Sequence, residues 1–538
     1  MLIEEKINRI IAVRHLGSGY VHWDIRFFDV PKGDSDIRIV YNGTDNGINL
    51  EVWTPTFYLL TSLSLSRLLE PRTYQMDMDI GEMFPNFVLN RDVRAYCGVN
   101  VKGLDLDDAT SERHRWDRIW MGFKPSPFNA ARYLAIASKY AVGDPLDPKN
   151  AFFWDKLILN LPFSDTFNPG MRWLYKLDSQ VNRIASDAVT FMDDSRITGH
   201  SIEACWQAGR QLASKLQHLG IQDAARKKRP LSLDAQAWAG TIIKTQSVNV
   251  EKTVSQEKWD KGKMHLSELK RQAGSETNPG LINHKFLQRA RGFFNHLGMT
   301  IDFLPPALKG LHNAIDSWRD GRDEEGFRNE SLHYKDALEA YYFAGRISEE
   351  EYESFLKDNP SDENPPERVL AAPEIFRSIE FLESILDSET PIRYPVRYTK
   401  TVSLIHGFVD ASGRGFAGTF EEVGEDKIDV DVSMWDSKVE EEHAGNWKEF
   451  SNLVDRIKGR ARKGELKGAV LFLFTDSSTV EGAVDKGNSK SKELFKLVCR
   501  LRKLQMKYDF ALHVIHVAGT RMIVQGTDGS MHQSILQL

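Results

Sequence analysis

Cysteine is scarce. Cys97, Cys205 and Cys499 are the only three in 538 residues. They lie too far apart for a zinc spacing or a disulfide framework, which fits a reducing compartment. Long apolar runs are also missing. With no stretch of about 18 apolar residues and no leader-like pattern at the start, neither membrane spanning nor secretion is expected. Internal repeats and long low-complexity tracts are absent, so no repeat architecture is indicated. What remains is 41% hydrophobic and 27% charged, the balance of a soluble globular protein. The length has room for three or four domains.

A net charge of −6 is small, but it is unevenly spread. Residues 349–389 hold thirteen acids and three bases, and 421–442 hold ten and two, leaving the rest of the chain at about +12. Bases cluster at Arg226-Lys227-Lys228-Arg229 and at Arg456, Lys458, Arg460, Arg462 and Lys463. Each cluster alone reads as a solvated helix face. Together with the acidic segments, they permit a phosphate-binding groove with acidic outer surfaces.

Residues 3–13 read as helical, and 20–30 and 37–41 as strands around Pro31-Lys32-Gly33-Asp34-Ser35. Mixed helix and strand signals run to about Thr245. From 256 to 300 the pattern is helical, with Phe286, Ala290, Phe293 and Leu297 forming one apolar stripe. Asn359 to Pro366 marks a break, and Pro391 and Pro395 a second. Beyond it, strands at 402–409, 415–420, 428–434, 468–475 and 511–517, with helices at 446–463 and 478–507, predict one α/β unit.

Carboxylates carry the chemistry. Phe191-Met192-Asp193-Asp194 lies between two short apolar runs, which predicts a β-hairpin with both acids at its turn. Adjacent carboxylates repel, so a hard divalent cation is the natural third party. Asp107-Asp108, in a loop, shows that the dipeptide alone is weak evidence. Asp79, at the end of an alternating run, supplies a third acid, and Phe84 follows five residues on. Gly122 to Pro127 is a Gly/Pro-punctuated loop entering a helix.

In this order the motifs resemble a reverse transcriptase of the retroviral and retrotransposon kind. The resemblance makes Lys32 and Arg38, on a fingers hairpin, ligands of the incoming triphosphate. It makes Asp79 the first metal-binding acid and Phe84 the steric gate against a ribose 2′-hydroxyl. Gly122 would belong to the loop that positions template and nucleotide. Asp193 and Asp194 would close the aromatic-x-Asp-Asp signature, with Phe191 in place of the usual Tyr. Lys227 or Lys228 falls where the family keeps a base near the triphosphate. Trp238-Ala239-Gly240 resembles a primer-grip turn more loosely. The segment from Gly143 to about Trp173 is an insertion relative to retroviral enzymes.

The last unit is suggestive on its own terms. Asp410 and Asp476 end strands that could lie side by side, at the crevice where α/β sheets bind ligands. Glu449 would reach that crevice from the intervening helix, and Asp528 supplies a fourth acid. The four resemble the Asp-Glu-Asp-Asp set of ribonuclease H. The family's loop histidine has no clear counterpart, since His516 lies in a predicted strand.

The expected architecture is therefore an α/β and α+β multidomain chain. A right-hand polymerase of fingers and palm (1–245) and helical thumb (246–330) precedes an acidic connection (331–399) and a ribonuclease H-like mixed α/β domain (400–538). The resemblance implies RNA-directed DNA polymerase activity and cleavage of RNA in RNA–DNA hybrids, with two Mg²⁺ or Mn²⁺ ions per active site. Asp79, Asp193 and Asp194 would hold one set, and Asp410, Glu449, Asp476 and Asp528 the other. Implied partners are an RNA template, a DNA primer, the hybrid and deoxynucleotides, with no membrane. The implied location is intracellular, in cytoplasm, nucleus or virus-like particles. The rival expectation is a silent nucleic-acid-binding or structural subunit derived from such an enzyme. Some phrases, such as Pro306 to His312, suggest a DIRS-like retroelement.

Overall fold

Runs rich in β-branched and aromatic residues form the first hairpin. Arg26–Lys32 (β1) pairs antiparallel with Asp36–Asn42 (β2), from Arg26 opposite Asn42 to Lys32 opposite Asp36. Among the described residues this sheet has two strands, so Pro31 lies on an edge strand, where proline is tolerated. The computed structural model describes residues 10–12, 21–32, 36–57, 59, 65–66, 69–100, 113–161, 164, 166–168, 171–221, 230–235, 237–246, 250–322, 327, 333–358, 365–397, 404–411, 414–422, 425, 428–520 and 522. The helix expected over 3–13 is corrected in its described part. Ile10–Ala12 is a strand paired with Arg113–Trp116, because β-branched Ile10 and Ile11 fit a sheet once a partner strand exists.

The chain divides into two compact units, one of residues 1–159 and 174–239, the other of 160–173 and 240–538. In the first, Tyr74–Asp79 (β3) is followed by helix Ser126–Val142 (α1), strands Lys156–Leu159 (β4), Leu174–Asp178 (β5), Asp187–Phe191 (β6) and Asp194–Gly199 (β7), and helix Ile202–His218 (α2). Strands β6, β7 and β3 form one antiparallel sheet in that order. Met78, Ile80 and Ile197 share a core with Ala130, Leu134 and Ala137 of α1 and with Cys205, Ala208 and Leu212 of α2. Spacings of three and four on α1 and the period of two along β3 explain that shared face. α2 starts at Ser201, whose hydroxyl accepts the Ala204 N–H as an N-cap.

The opposite face of this sheet carries polar cross-strand pairs: Gln75 opposite Thr198, Asp77 opposite Arg196, and Asp79 opposite Asp194. Arg196 has no exposed surface. Its Nε donates to Asp77 Oδ1 at 2.6 Å, Nη2 to Asp77 Oδ2 at 2.8 Å, and Nη1 to Gln75 Oε1 at 3.2 Å.

In the second unit, helices Gln256–Ala273 (α3), His284–Gly298 (α4), Lys309–Asp316 (α5) and Pro373–Leu386 (α8) surround a core that includes Trp259, Phe294, Leu311 and Leu382. Helices from the predicted thumb and from the predicted connection thus contribute to one core. Phe286, Ala290 and Leu297 of the expected stripe are buried, with Phe294 buried and Phe293 half-buried beside them. Tyr334–Phe343 (α6) and Glu349–Asp358 (α7) form a helical pair around Leu338, Ile347 and Phe355.

Beyond residue 400 the expected strands form, but the helix expected over 478–507 is two helices, broken after Lys486 at Gly487 with φ +59°. The strands are Leu404–Ala411 (β8), Gly415–Glu422 (β9), Ile428–Met434 (β10), Val470–Thr475 (β11) and Ala511–His516 (β12). The helices include Gly445–Arg462 (α9), Ser478–Lys486 (α10) and Lys492–Tyr508 (α11). The sheet runs β10-β9-β8-β11-β12, antiparallel on the first side and parallel from β8 through β12. All six residues of β11 are buried, as expected for a strand covered on both faces. Within the insertion, Phe167 and Trp173 lie against Phe472 of β11, at 5.7 and 6.1 Å between ring centroids. Among the described residues no helix is long and apolar enough to cross a membrane.

Replacing Arg196 by Met should destabilise the fold by about 3–5 kcal/mol, because Asp77 would keep a part-buried charge without its bidentate partner. Denaturant unfolding measures this, and an unchanged midpoint would show that the pair does not hold the sheet.

Candidate carboxylate sites

Strand register decides the first site. Asp79 ends β3 directly opposite Asp194, the first residue of β7. The Ile80 N–H donates to the Asp193 carbonyl at 2.8 Å. That bond makes Asp79 and Asp194 a non-hydrogen-bonded pair, the kind whose side chains approach more closely. Only Met192 and Asp193 separate Phe191 from Asp194, and those two residues pair. Met192 has φ +54°, a backbone state that two-residue hairpins normally assign to Gly or Asn. A bulky residue held there stores strain at the turn carrying the two acids. Asp79, 7% exposed, lies in a buried setting, where an uncompensated charge is costly.

The Gly122 loop is built tightly. Gly122 has φ +101°, and a Cβ there would sit 1.8 Å from the Tyr41 carbonyl oxygen. Asn49, which the sequence reading passed over, ties the loop down. Its Nδ2 donates to the Gly122 carbonyl at 2.9 Å, and its Oδ1 accepts the Lys124 N–H at 2.8 Å. Asparagine at a loop is too common for sequence alone to single it out. Phe84 is half-buried in a 3₁₀ turn, Phe84–Asn86, and packs against two core clusters, one with Met78 and one with Trp120. Lys32 and Arg38 sit on β1 and β2 opposite Asp36 and Val30. Their side chains, together with Lys227, Asp528, Asp107 and Asp108, lie outside the described residues.

Parallel pairing decides the second site. Phe408 of β8 lies beside Phe474 of β11, so two residues further on Asp410 and Asp476 stand at adjacent carboxyl ends. Asp410 is 8% exposed. Asn452 of α9 is almost wholly buried and donates from Nδ2 to the carbonyls of Asp410 and Ala417, both at 2.9 Å. It fastens the helix to β8 and β9 one turn beyond Glu449. Burial, first of all, pushes the Glu449 carboxyl above the ordinary range, and the charge of Asp476 adds to that, while a hydrogen bond from Ser477 opposes it. Glu449 Oε2 is buried with no hydrogen-bond partner. An oxygen in that state, beside a second carboxylate, suits a hard divalent ion. Among the described residues no group of three or more His, Cys, Asp or Glu side chains is arranged to hold a metal.

His516 is exposed; its Nε2 lies 3.1 Å from the Asp476 carbonyl oxygen, and its N–H donates to Glu481 Oε1 at 2.9 Å. It therefore braces the end of the strand. Two cations of the basic cluster on α9 have partners within this sheet. Arg456 is ion-paired with Asp431 and lies 4.9 Å from the Phe416 ring. Arg460 pairs with Asp429 and Glu465, at 3.1 and 3.0 Å, over the Phe420 ring. These two guanidiniums neutralise the acidic strand β10; Arg462 and Lys463 are the exposed cations of the cluster.

No family model matches the chain, and no curated protein matches it. Among solved structures it is similar to the foamy viral protease-reverse transcriptase dRH in complex with ds DNA, at 12% identity and a TM-score of 0.44, covering 96% of this chain and 68% of that one. It is also similar to the foamy viral protease-reverse transcriptase in complex with RNA/DNA hybrid, at 12% identity and a TM-score of 0.43, covering 95% and 52%. For the same viral protein in complex with dsDNA the values are 12%, 0.41, 96% and 81%. Function is accordingly argued from the chain's own residues.

Asn452→Leu should cost about 1–3 kcal/mol, since it removes the buried donor of two carbonyls. Thermal or denaturant unfolding tests this, and wild-type stability would show that the helix is held by its apolar face alone.

Proposed function

We propose that the chain is an RNA-directed DNA polymerase that also cleaves the RNA strand of RNA–DNA hybrids. One observation carries this reading: two unrelated sheets in one chain each end in juxtaposed carboxylates, Asp79 with Asp194 and Asp410 with Asp476. The order of motifs from Lys32 to Gly240, and the Asp410, Glu449, Asp476 and Asp528 series, support it.

In the polymerase, Asp79, Asp193 and Asp194 would hold Mg²⁺ or Mn²⁺. In the nuclease, Asp410, Glu449, Asp476 and Asp528 would do so, and the partnerless buried Glu449 Oε2 fits that role. Bound divalent ions supply charge stabilisation for attacking and leaving oxygens of an in-line displacement at phosphorus. The chain's own residues orient the reactants. Lys32, Arg38 and Lys227 would grip the triphosphate, and Gly122 would let the backbone lie close beneath template and nucleotide. Phe84 would occupy the space of a ribose 2′-hydroxyl and so select deoxynucleotides. The hybrid would be recognised by shape, phosphates and 2′-hydroxyls rather than sequence.

Primer extension on an RNA template with deoxynucleotides, run beside hybrid cleavage, tests the reading. Asp193→Asn should reduce extension to background and spare cleavage, and Asp410→Asn should do the reverse. Wild-type protein inactive in both assays with Mg²⁺ and with Mn²⁺ would overturn the enzyme reading in favour of a silent nucleic-acid-binding subunit. A separate measurement addresses selectivity: Phe84→Ala should raise ribonucleotide incorporation, and an unchanged sugar preference would remove Phe84 from that role.

A further inference from the structure

The Met192-Asp193 turn is strained, and something outside its own hairpin must hold it. Trp238 is in place to do so. It is 2% exposed and among the largest fully buried side chains described. Its indole Nε1–H donates to the carbonyl of Asp194 at 3.3 Å. Its ring meets Phe191 edge to face, 6.1 Å between centroids at 70°. The Arg196 guanidinium lies 6.0 Å from the ring centroid. One side chain therefore touches the residue before the turn, the residue after it, and the arginine that locks the register.

We propose that Trp238 is a positioning residue that fixes the Asp193–Asp194 turn from the polar face of the sheet, and so sets where these carboxylates meet a divalent ion. This rests on the polymerase reading, and it gives Trp238 a role distinct from a primer-grip contact. The physical reason is the division of labour around the turn. Ile80 N–H holds the Asp193 carbonyl from β3, while the indole N–H holds the next carbonyl from the other side. Met192 at φ +54° then cannot relax without breaking one of them. Trp238 acts through the backbone of the acids.

Trp238→Phe keeps a ring and removes the donor. In the full chain it should leave hybrid cleavage and the KM for primer–template unchanged. It should lower kcat for extension and weaken Mn²⁺ binding, read by water-proton relaxation, by about 10- to 100-fold, the usual loss when an outer partner of a metal ligand is removed. Amide hydrogen exchange over 187–199 should accelerate. Wild-type Mn²⁺ affinity and exchange in W238F would overturn the proposal. So would a raised KM for primer–template with kcat unchanged, which would make Trp238 a primer contact. If W238F fails to fold, F191L, which removes the edge contact but leaves the indole donor, must accelerate exchange at the turn for the proposal to stand. Absence of extension by wild-type protein would sink the polymerase reading, whereas the exchange and Mn²⁺ measurements would still decide the role of Trp238.

Discussion

The bidentate pair between Arg196 and Asp77 is the interaction on which the first site depends. Arg196 is fully buried, and its guanidinium has two bonds to Asp77 and one to Gln75. Sliding β7 by one residue against β3 would turn Arg196 away from Asp77 and leave a buried charge without its partner. The register is therefore pinned. Two residues along the same face, that register sets Asp194 against Asp79. Like charges directly across a sheet are unfavourable, so a rigid strand pairing that imposes them needs a compensating positive charge. One ion pair thus sets the register that places these two acids opposite each other.

The second site reaches a similar result by another route. Here no turn carries the acids. Parallel β8 and β11 bring the ends of two distant strands together, and a helix from between them adds Glu449. Asn452 makes this possible. A buried amide with both donor directions satisfied by strand carbonyls fixes rotation and depth of the helix. Apolar packing by Phe450, Leu453 and Val454 alone would allow sliding. Burial then keeps Glu449 reluctant to ionise, a state that a nearby cation reverses.

The acidic segment 421–442 also gains a meaning. Asp429 and Asp431 on exposed edge strand β10 hold Arg460 and Arg456, whose guanidiniums cover the rings of Phe420 and Phe416. Part of the charge asymmetry is thus internal, spent within one sheet and its helix. Charged residues along β10 also suit an edge strand, where they discourage pairing with another chain.

Much of this was readable from residues in line. The hairpin at Asp193 and the strands ending at Asp410 and Asp476 follow from alternation and from short apolar runs, because those periods are local properties of a pleated chain. So do the α3 and α4 helices. Ile10–Ala12 was not readable, since its strand exists only through pairing with Arg113–Trp116. Nor were Asn49, Asn452 and Trp238 as supports, because each acts on a carbonyl far away in sequence: 73, 42 and 44 residues. The ion pairs of Arg456 and Arg460 with β10 were not readable for the same reason, as Asp431 and Asp429 lie on another strand. The sequence by itself determined which residues could carry charge and chemistry, and where strands and turns would present them. Only the tertiary structure decided which of those charges face one another and which are already neutralised, because register and burial are set by pairing between segments that no local pattern contains.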